Sequence, residues 1–337
     1  MTTTPINLTT PLWLVRIATM VLLVGIGLSA ARAGDPSLIV GPNACAECHK
    51  KESSIWQNTH HFTTFRDLPN KKEADDIAAK MDVKRLKADS LCLNCHFTLQ
   101  APDKVIAGIS CESCHSGGKN WIKVHAEFSG KKEGQETKAE IAARWQKSEA
   151  AGMIRPTAYY LLAKNCLTCH VVPNEKLVNV GGHAAGSAFE LVSWSQGEVR
   201  HNVWYNKAAS NPEGSQVRKR MMFVVGRVVE LETALIGVSK ATTKDNYALK
   251  MATRADAARK AVAALANLLP NAPELKEIAD IGQGVGLKLN NEAELADAAG
   301  KISVLGLKFS NSYDGSGFSA VDQYIPGPDK YKGQVSN

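Results

Sequence analysis

Four short segments of the chain repeat one pattern of reactive residues: two cysteines separated by two residues, with a histidine directly after the second cysteine. They are CAECH at 45–49, CLNCH at 92–96, CESCH at 111–115 and CLTCH at 166–170, and they contain all eight cysteines of the 337-residue chain. In this pattern the two thiols bond covalently to a haem and the adjoining histidine binds its iron. The sequence therefore predicts four covalently attached haem c groups.

These segments supply two sets of candidate site residues. The predicted haem-attaching residues are Cys45, Cys48, Cys92, Cys95, Cys111, Cys114, Cys166 and Cys169, and the predicted proximal iron ligands are His49, His96, His115 and His170. Four disulfides would explain neither the fixed spacing nor the histidine after every pair. Tetrahedral zinc sites require no histidine beside the second cysteine. A thioredoxin-like motif occurs singly, near a βαβ pattern that this sequence lacks.

Five histidines lie outside the motifs: His60, His61, His125, His183 and His201. Each predicted iron has a sixth coordination position, and neutral imidazole is the commonest metal-binding side chain in proteins. All five lie between residues 60 and 201, within or just beyond the segment that contains the motifs. This distribution predicts that several of them are distal iron ligands. Because so many histidines are available, Met81 and Met153 are interpreted as packing residues.

Two stretches of the sequence resemble a known family. CESCHSGGKNWIKVH, at 111–125, is similar to the third haem segment of the tetrahaem cytochrome c-554 family, with a glycine-rich turn and a histidine ten residues after the motif. CAECHKKESSIWQNTHH, at 45–61, is similar to the first segment, with Trp56 seven residues after the motif and His61 five residues later. A histidine, His201, also follows the fourth motif by about thirty residues, as in that family. The resemblance covers roughly residues 40–205.

The resemblance implies that iron ligands come from remote parts of the chain. It implies that His125 binds the first iron opposite His49, that His61 binds the fourth opposite His170, and that His201 binds the third opposite His115. The second haem, on His96, is five-coordinate in that family, which implies an open iron there. The family accepts electrons from hydroxylamine oxidoreductase in ammonia oxidisers.

Two histidines leave alternatives open. His60 and His61 are neighbours, and adjacent side chains point in different directions, so only one is expected to bind iron; the spacing favours His61. His183, in NVGGHAAG, has no counterpart in the family pattern. It is expected to close the second haem, to line an open pocket there, or to face solvent.

The N-terminus indicates export from the cytoplasm. Arg16 lies within the segment that leads into the apolar run IATMVLLVGIGLSA, and ARA at 31–33 offers small residues for cleavage before Gly34. This pattern predicts a cleaved signal peptide at 1–33 and a periplasmic protein, and an uncleaved membrane anchor is the alternative. Removal of Arg16 and Arg32 lowers the net charge from +7 to +5, and the two propionates of each haem would more than cancel the remainder. Charge therefore gives no reason to expect nucleic acid as a partner.

The fold class predicted is mainly α, with a loop-rich multihaem cytochrome domain at 34–210, an α-helical bundle at 211–310 and an extended C-terminal tail at 311–337. The charged stretches 71–88 and 136–153 and the long patterns after 214 predict helices. In one of these patterns the residues spaced by three and four positions, which predict one packed helix face, are Leu249, Ala252, Ala255, Ala258, Val262 and Leu265. The bundle contains neither cysteine nor histidine. It is interpreted as packing on the haem domain or forming a contact between two copies of the chain.

These features predict electron transfer between redox proteins, with a hydroxylamine oxidoreductase-like or quinone-linked partner, and assign no catalytic residue. The alternative is an enzyme that reduces a small nitrogen compound at an open haem on His96. Such an enzyme would use a lysine, a tyrosine or His183 as the proton donor. Two imidazole ligands on every iron would exclude this chemistry, because they leave no position for a substrate.

Overall fold

Helices dominate the chain, which confirms the predicted mainly α fold class. The computed structural model describes residues 35–336, apart from 89, 205, 206 and 208. The predicted signal peptide lies outside the described residues. Among the described residues, no helix is both long enough and apolar enough to cross a bilayer.

The described helices and strands fall into two groups along the chain. The first group comprises α1 Pro42–Ala46, α2 Lys50–Trp56, α3 His60–Asp67, α4 Lys72–Lys80, α5 Ser90–His96, β1 Thr98–Gln100, β2 Lys104–Ala107, α6 Cys111–His115, α7 Ile122–Ala126, α8 Lys138–Ala150, α9 Tyr159–His170, α10 Glu175–Asn179 and α11 Leu191–Ser195. The second group comprises α12 Gln216–Ser239, α13 Asn246–Leu268, α14 Pro273–Gly284 and α15 Glu292–Ser312.

The first group consists of short helices and strands, and capping residues mark where some of its helices begin. Thr59 caps α3 by accepting the backbone N–H of Phe62 through its hydroxyl. Thr137 and Glu140 form a reciprocal capping box that begins α8, within the stretch predicted as helix. The chain between the second and third motifs forms the antiparallel hairpin of β1 and β2, although its residue pattern shows little sign of strand.

The second group forms a helical bundle with an apolar interior. On α13, Ala255, Ala258, Val262 and Leu265 are buried, as the three- and four-residue spacing predicts. Leu249 follows the same spacing but is 55 % exposed. Helices α12 and α13 approach closely at Gly237, where a Cβ atom would lie 2.6 Å from the sulfur of Met251.

Helix α9, which ends with the fourth motif, packs against α12 and α15 of the bundle. The hydroxyl of Tyr160 on α9 donates to Glu232 of α12 over 2.6 Å, and the ammonium of Lys164 lies 2.8 Å from the same carboxylate. Glu232 is only 1 % exposed, and the ammonium of Lys164 is the opposite charge that pairs with this buried carboxylate. The fourth motif is therefore fixed to the bundle by side chains.

The C-terminal segment also packs on the bundle. It contains two short 3-10 helices, Ser319–Tyr324 and Pro328–Lys330, between otherwise irregular residues. Val321 is fully buried, and Asp322 forms an ion pair of 2.6 Å with Arg220 on α12. The segment predicted as an extended tail therefore lies against the protein.

Candidate haem-binding sites

The four C-x-x-C-H motifs lie on or directly after short helical segments. Helices α5, α6 and α9 end at the histidines of the second, third and fourth motifs, and α1 contains the first cysteine of the first motif. Residues three and four positions apart share one face of a helix. A helical motif thus presents both thiols and the imidazole to the same side, as attachment of one flat cofactor requires.

The thiols are free of disulfide bonds, and all eight are described by the structure. The thiols of Cys45 and Cys111 lie beside each other, and so do those of Cys95 and Cys169. The neighbouring thiol, with burial added, raises the pKa of Cys45 and of Cys169, whereas it lowers the pKa of Cys111 and of Cys95. Burial raises the pKa of Cys114 to about 11.

Sulfur and backbone contacts also show which motifs are neighbours. The first motif adjoins the third through Cys45 and Cys111, and the second adjoins the fourth through Cys95 and Cys169. The third and fourth are joined where the Asn165 amide donates to the carbonyl of Cys114 over 2.8 Å. The motifs therefore follow one another in space in the order first, third, fourth, second.

Each motif histidine faces one histidine from outside the motifs. The ring centroids of His49 and His125, of His61 and His170, and of His96 and His183 are each 6.3 Å apart, and those of His115 and His201 are 6.2 Å apart. Two imidazoles that bind one metal ion from opposite sides, through Nε2 bonds of about 2.0–2.1 Å, place their centroids about 6.3 Å apart. The four separations fit an iron between each pair.

The protonation of these histidines also suits metal binding. Burial is the main cause that lowers the pKa of His96, His115 and His170 to about 4, so each ring is neutral at neutral pH. Metal binding requires the neutral imidazole. The Nδ1 of His115 lies 2.8 Å from the carbonyl of Ile154, which leaves its Nε2 free for a metal.

The structure distinguishes the two adjacent histidines. His61 faces His170, whereas the ring of His60 is 86 % exposed and its Nδ1 lies 2.7 Å from the Glu198 carboxylate. His61, which the spacing favoured, is the residue in position to bind an iron.

His183 is the histidine whose position the sequence left open. Its ring faces His96, and its Nδ1 lies 2.8 Å from the carbonyl of Ala184. The resemblance implied an open iron on His96, but in this chain a second imidazole lies opposite that residue. The second site thus differs from the family pattern.

A partly open apolar pocket lies beside Cys92 and His96. Its lining includes Ile77 and Met81 from the end of α4 and Leu86 from the segment that follows. A macrocycle that is apolar over most of its surface suits such a lining. Met81 is part of this apolar lining, and its role as a packing residue stays a prediction.

One residue within a motif, Glu112, has a structural role that the sequence did not reveal. It is 1 % exposed, and its carboxylate accepts the backbone N–H groups of Val40, Gly41 and Gly118 over 2.7–2.9 Å. Val40 and Gly41 lie just before the first motif, so Glu112 joins the chain around the first and third motifs. In the sequence it occupies a variable position of C-x-x-C-H, where nothing marks it as buried.

Comparison with known proteins finds relatives of one part of the chain. Residues 44–116, which contain the first three motifs, match the family described as cytochrome c554 and c-prime. Cytochrome c-554 of Nitrosomonas europaea is 33 % identical in a match that covers 27 % of this chain and 46 % of the relative. The comparisons confirm the resemblance to the cytochrome c-554 family.

The chain thus spans about half the length of this cytochrome c-554, and most of its own residues lie outside the match. The family match ends at residue 116, before the fourth motif and the helical bundle. No solved structure matches the chain.

Proposed function

We propose that this chain is an exported tetrahaem c-type cytochrome that carries electrons between periplasmic redox proteins. The eight motif cysteines would hold four haems covalently, and the four histidine pairs would supply two axial ligands to every iron. The observation that carries the proposal is the separation of 6.2–6.3 Å within all four pairs. The family resemblance supports haem c as the cofactor.

Ligation by two histidines favours a carrier over an enzyme. When bound, the haem supplies reversible one-electron chemistry, and two imidazoles leave its iron no position for a substrate. The alternative function needs an open iron on His96, and His183 faces that residue. The pairing therefore supports four closed sites and electron transfer.

The order of the motifs in space suits transfer along the protein. Because the third and fourth motifs adjoin each other and each adjoins one more, the first and second motifs lie at the ends of the series. We propose that electrons enter and leave at these end sites. By analogy with the family, the partners would be a hydroxylamine oxidoreductase-like donor and a quinone-linked or soluble acceptor.

Ligand binding to the purified holoprotein tests this function. A haem stain after denaturing electrophoresis and a pyridine haemochrome titration should give four covalent haems per chain. Carbon monoxide added to the reduced protein, or cyanide to the oxidised protein, should leave its spectrum unchanged. Rapid binding to one haem in four would refute the closed second site and support the enzyme.

A further inference from the structure

The helical bundle has no histidine or cysteine, yet one of its side chains reaches the surroundings of the fourth motif. Arg254, on α13, donates a hydrogen bond from Nη2 to the backbone carbonyl of Ser187. Ser187 in turn lies against His170: its hydroxyl is 2.9 Å from Nδ1, and its backbone N–H donates to the His170 carbonyl over 2.9 Å. Arg254 and His170 are thus separated by a single residue.

These groups are packed without spare room. Gly186, just before Ser187, has a φ of +108°, and a Cβ atom there would lie 2.6 Å from the His170 carbonyl oxygen and 3.2 Å from Nη2 of Arg254. Glycine adopts this backbone conformation without steric cost. The loop therefore holds the guanidinium close to the histidine.

Five of the paired histidines have a hydrogen-bond partner at Nδ1, and the partner of His170 differs in type from the other four. The Nδ1 atoms of His115, His125, His183 and His201 lie 2.6–2.8 Å from backbone carbonyl oxygens. That of His170 lies beside the Ser187 hydroxyl instead. The acceptor at Nδ1 controls how strongly the other ring nitrogen donates electrons to a metal.

The charge of Arg254 acts in a largely buried environment. Its side chain is 15 % exposed, and its Nη1 lies 3.2 Å from the Glu230 carboxylate, which also pairs with Arg227. Coulomb interactions are stronger in such a partly buried environment than in water, so the charge of Arg254 acts on the nearby His170 ring.

We propose that Arg254 and Ser187 set the reduction potential of the fourth haem, and that the bundle thereby tunes one site of the electron-transfer series. The inference rests on the proposed haem at His170. Arg254 is a positioning and charge-bearing residue rather than an iron ligand. A positive charge near the iron favours the reduced state, which carries one positive charge fewer.

Replacement of Arg254 and replacement of Ser187 are predicted to shift the reduction potential of the fourth haem in opposite directions. A purely structural role of the two residues would not produce this difference. Arg254→Met removes the positive charge and should lower the ratio of reduced to oxidised fourth haem about tenfold at a fixed solution potential. This change equals a fall of about 59 mV in the reduction potential of that haem, for one electron. Arg254→Lys keeps the charge and should restore most of this loss. Ser187→Ala removes the Nδ1 acceptor but keeps the backbone carbonyl, and should raise the ratio about threefold.

Potentiometric titration of the mature holoprotein, followed at the haem absorption bands, measures these changes. Arg227→Met is the matched control, because Arg227 donates a hydrogen bond of 3.2 Å to the same Glu230 carboxylate rather than to the carbonyl of Ser187. It should shift the fourth haem by less than a third of the change caused by Arg254→Met.

The inference is overturned if all four potentials stay unchanged in Arg254→Met and Ser187→Ala, if both variants shift in the same direction, or if Arg227→Met has an equal effect. Each variant is first shown to carry four covalent haems. Failure of the proposed function would look different, since the unmodified protein itself would then lack haem at the fourth motif or lack reversible reduction.

Discussion

Replacement of Glu112 by glutamine should destabilise the junction of the first and third motifs. Oε1 of the carboxylate accepts from Val40 and Gly118, and Oε2 accepts from Gly41. A glutamine of the same shape keeps one acceptor oxygen, but its amide nitrogen would face a buried N–H donor. The substitution therefore removes one hydrogen bond and the negative charge that strengthens the other two.

The size of the effect follows from these contacts. A buried donor left without a partner costs about 1–3 kcal/mol. Hydrogen bonds to an ionised acceptor are about twice as strong as neutral ones, so the two retained bonds weaken as well. Glutamine also avoids burying a charge, which offsets part of the loss. We expect Glu112→Gln to lower the free energy of unfolding by about 2–4 kcal/mol.

Guanidinium chloride unfolding, followed by far-ultraviolet circular dichroism with the haems kept oxidised, measures this change. Glu47→Gln is a suitable control, because Glu47 also lies between the cysteines of a motif but is exposed. An exposed substitution of this kind changes stability by about 0.5 kcal/mol or less. If Glu112→Gln falls within the same limit, the carboxylate does not hold the two segments together and the reasoning is refuted.

Two further variants test other parts of the structure. His183→Ala should let carbon monoxide bind one haem in four, as measured by titration of the reduced protein. His60→Ala is the control, because it removes an exposed ring that contacts Glu198, and it should leave all four haems closed to carbon monoxide. Equal binding by both variants would contradict the pairing of His96 with His183. The Arg220 guanidinium lowers the pKa of Asp322 from 3.8 to about 2, so their contribution to stability is complete above pH 3.8 and is lost as the pH falls through about 2. Asp322→Asn should therefore flatten the acid side of the pH–stability curve, measured by thermal unfolding, and an unchanged slope would show that the ion pair does not hold the tail.

The sequence predicts the chemistry of this protein better than its geometry. The C-x-x-C-H spacing indicates haem attachment because covalent chemistry fixes it locally, and it needs no knowledge of the fold. The partners proposed for His49, His115 and His170 came from the family resemblance, and the structure places each partner ring 6.2–6.3 Å away. The partner of His96 could not be inferred in this way, since the family pattern offers no equivalent of His183.

The structural roles of Glu112 and Arg254 could not be predicted from the sequence, because both depend on polar contacts between residues far apart in the chain. Glu112 binds backbone groups 71 and 72 positions earlier, and Arg254 binds a carbonyl 67 positions earlier. A charged residue within a motif or a helix normally lies in solvent. Only the folded chain shows that these two side chains are enclosed and what they hold. Leu249 illustrates the opposite case, because it has the spacing of a core residue but faces solvent.

The distribution of buried side chains links the haem sites to the bundle. The main apolar core joins residues from Tyr160 to Val321, and the first three motifs lie before this range. Buried apolar residues nearer the N-terminus, such as Ile55 and Phe97, are not part of it. A segment with so little apolar core depends on cross-links or cofactors for its stability. The haems proposed at the first three sites would supply apolar surface that the protein itself does not provide there.

The fourth motif is held by the main apolar core of the protein. Helix α9 contributes Tyr160, Ala163 and Leu167 to the main core and ends at His170. Its motif is thus positioned by packing on the bundle, together with the contacts of Tyr160 and Lys164 to Glu232. Because the third motif is joined to the fourth through Asn165, and the second through Cys169, order can extend outward from α9. The bundle contains neither cysteine nor histidine, but it is the packed part of the chain to which the motifs are joined through α9.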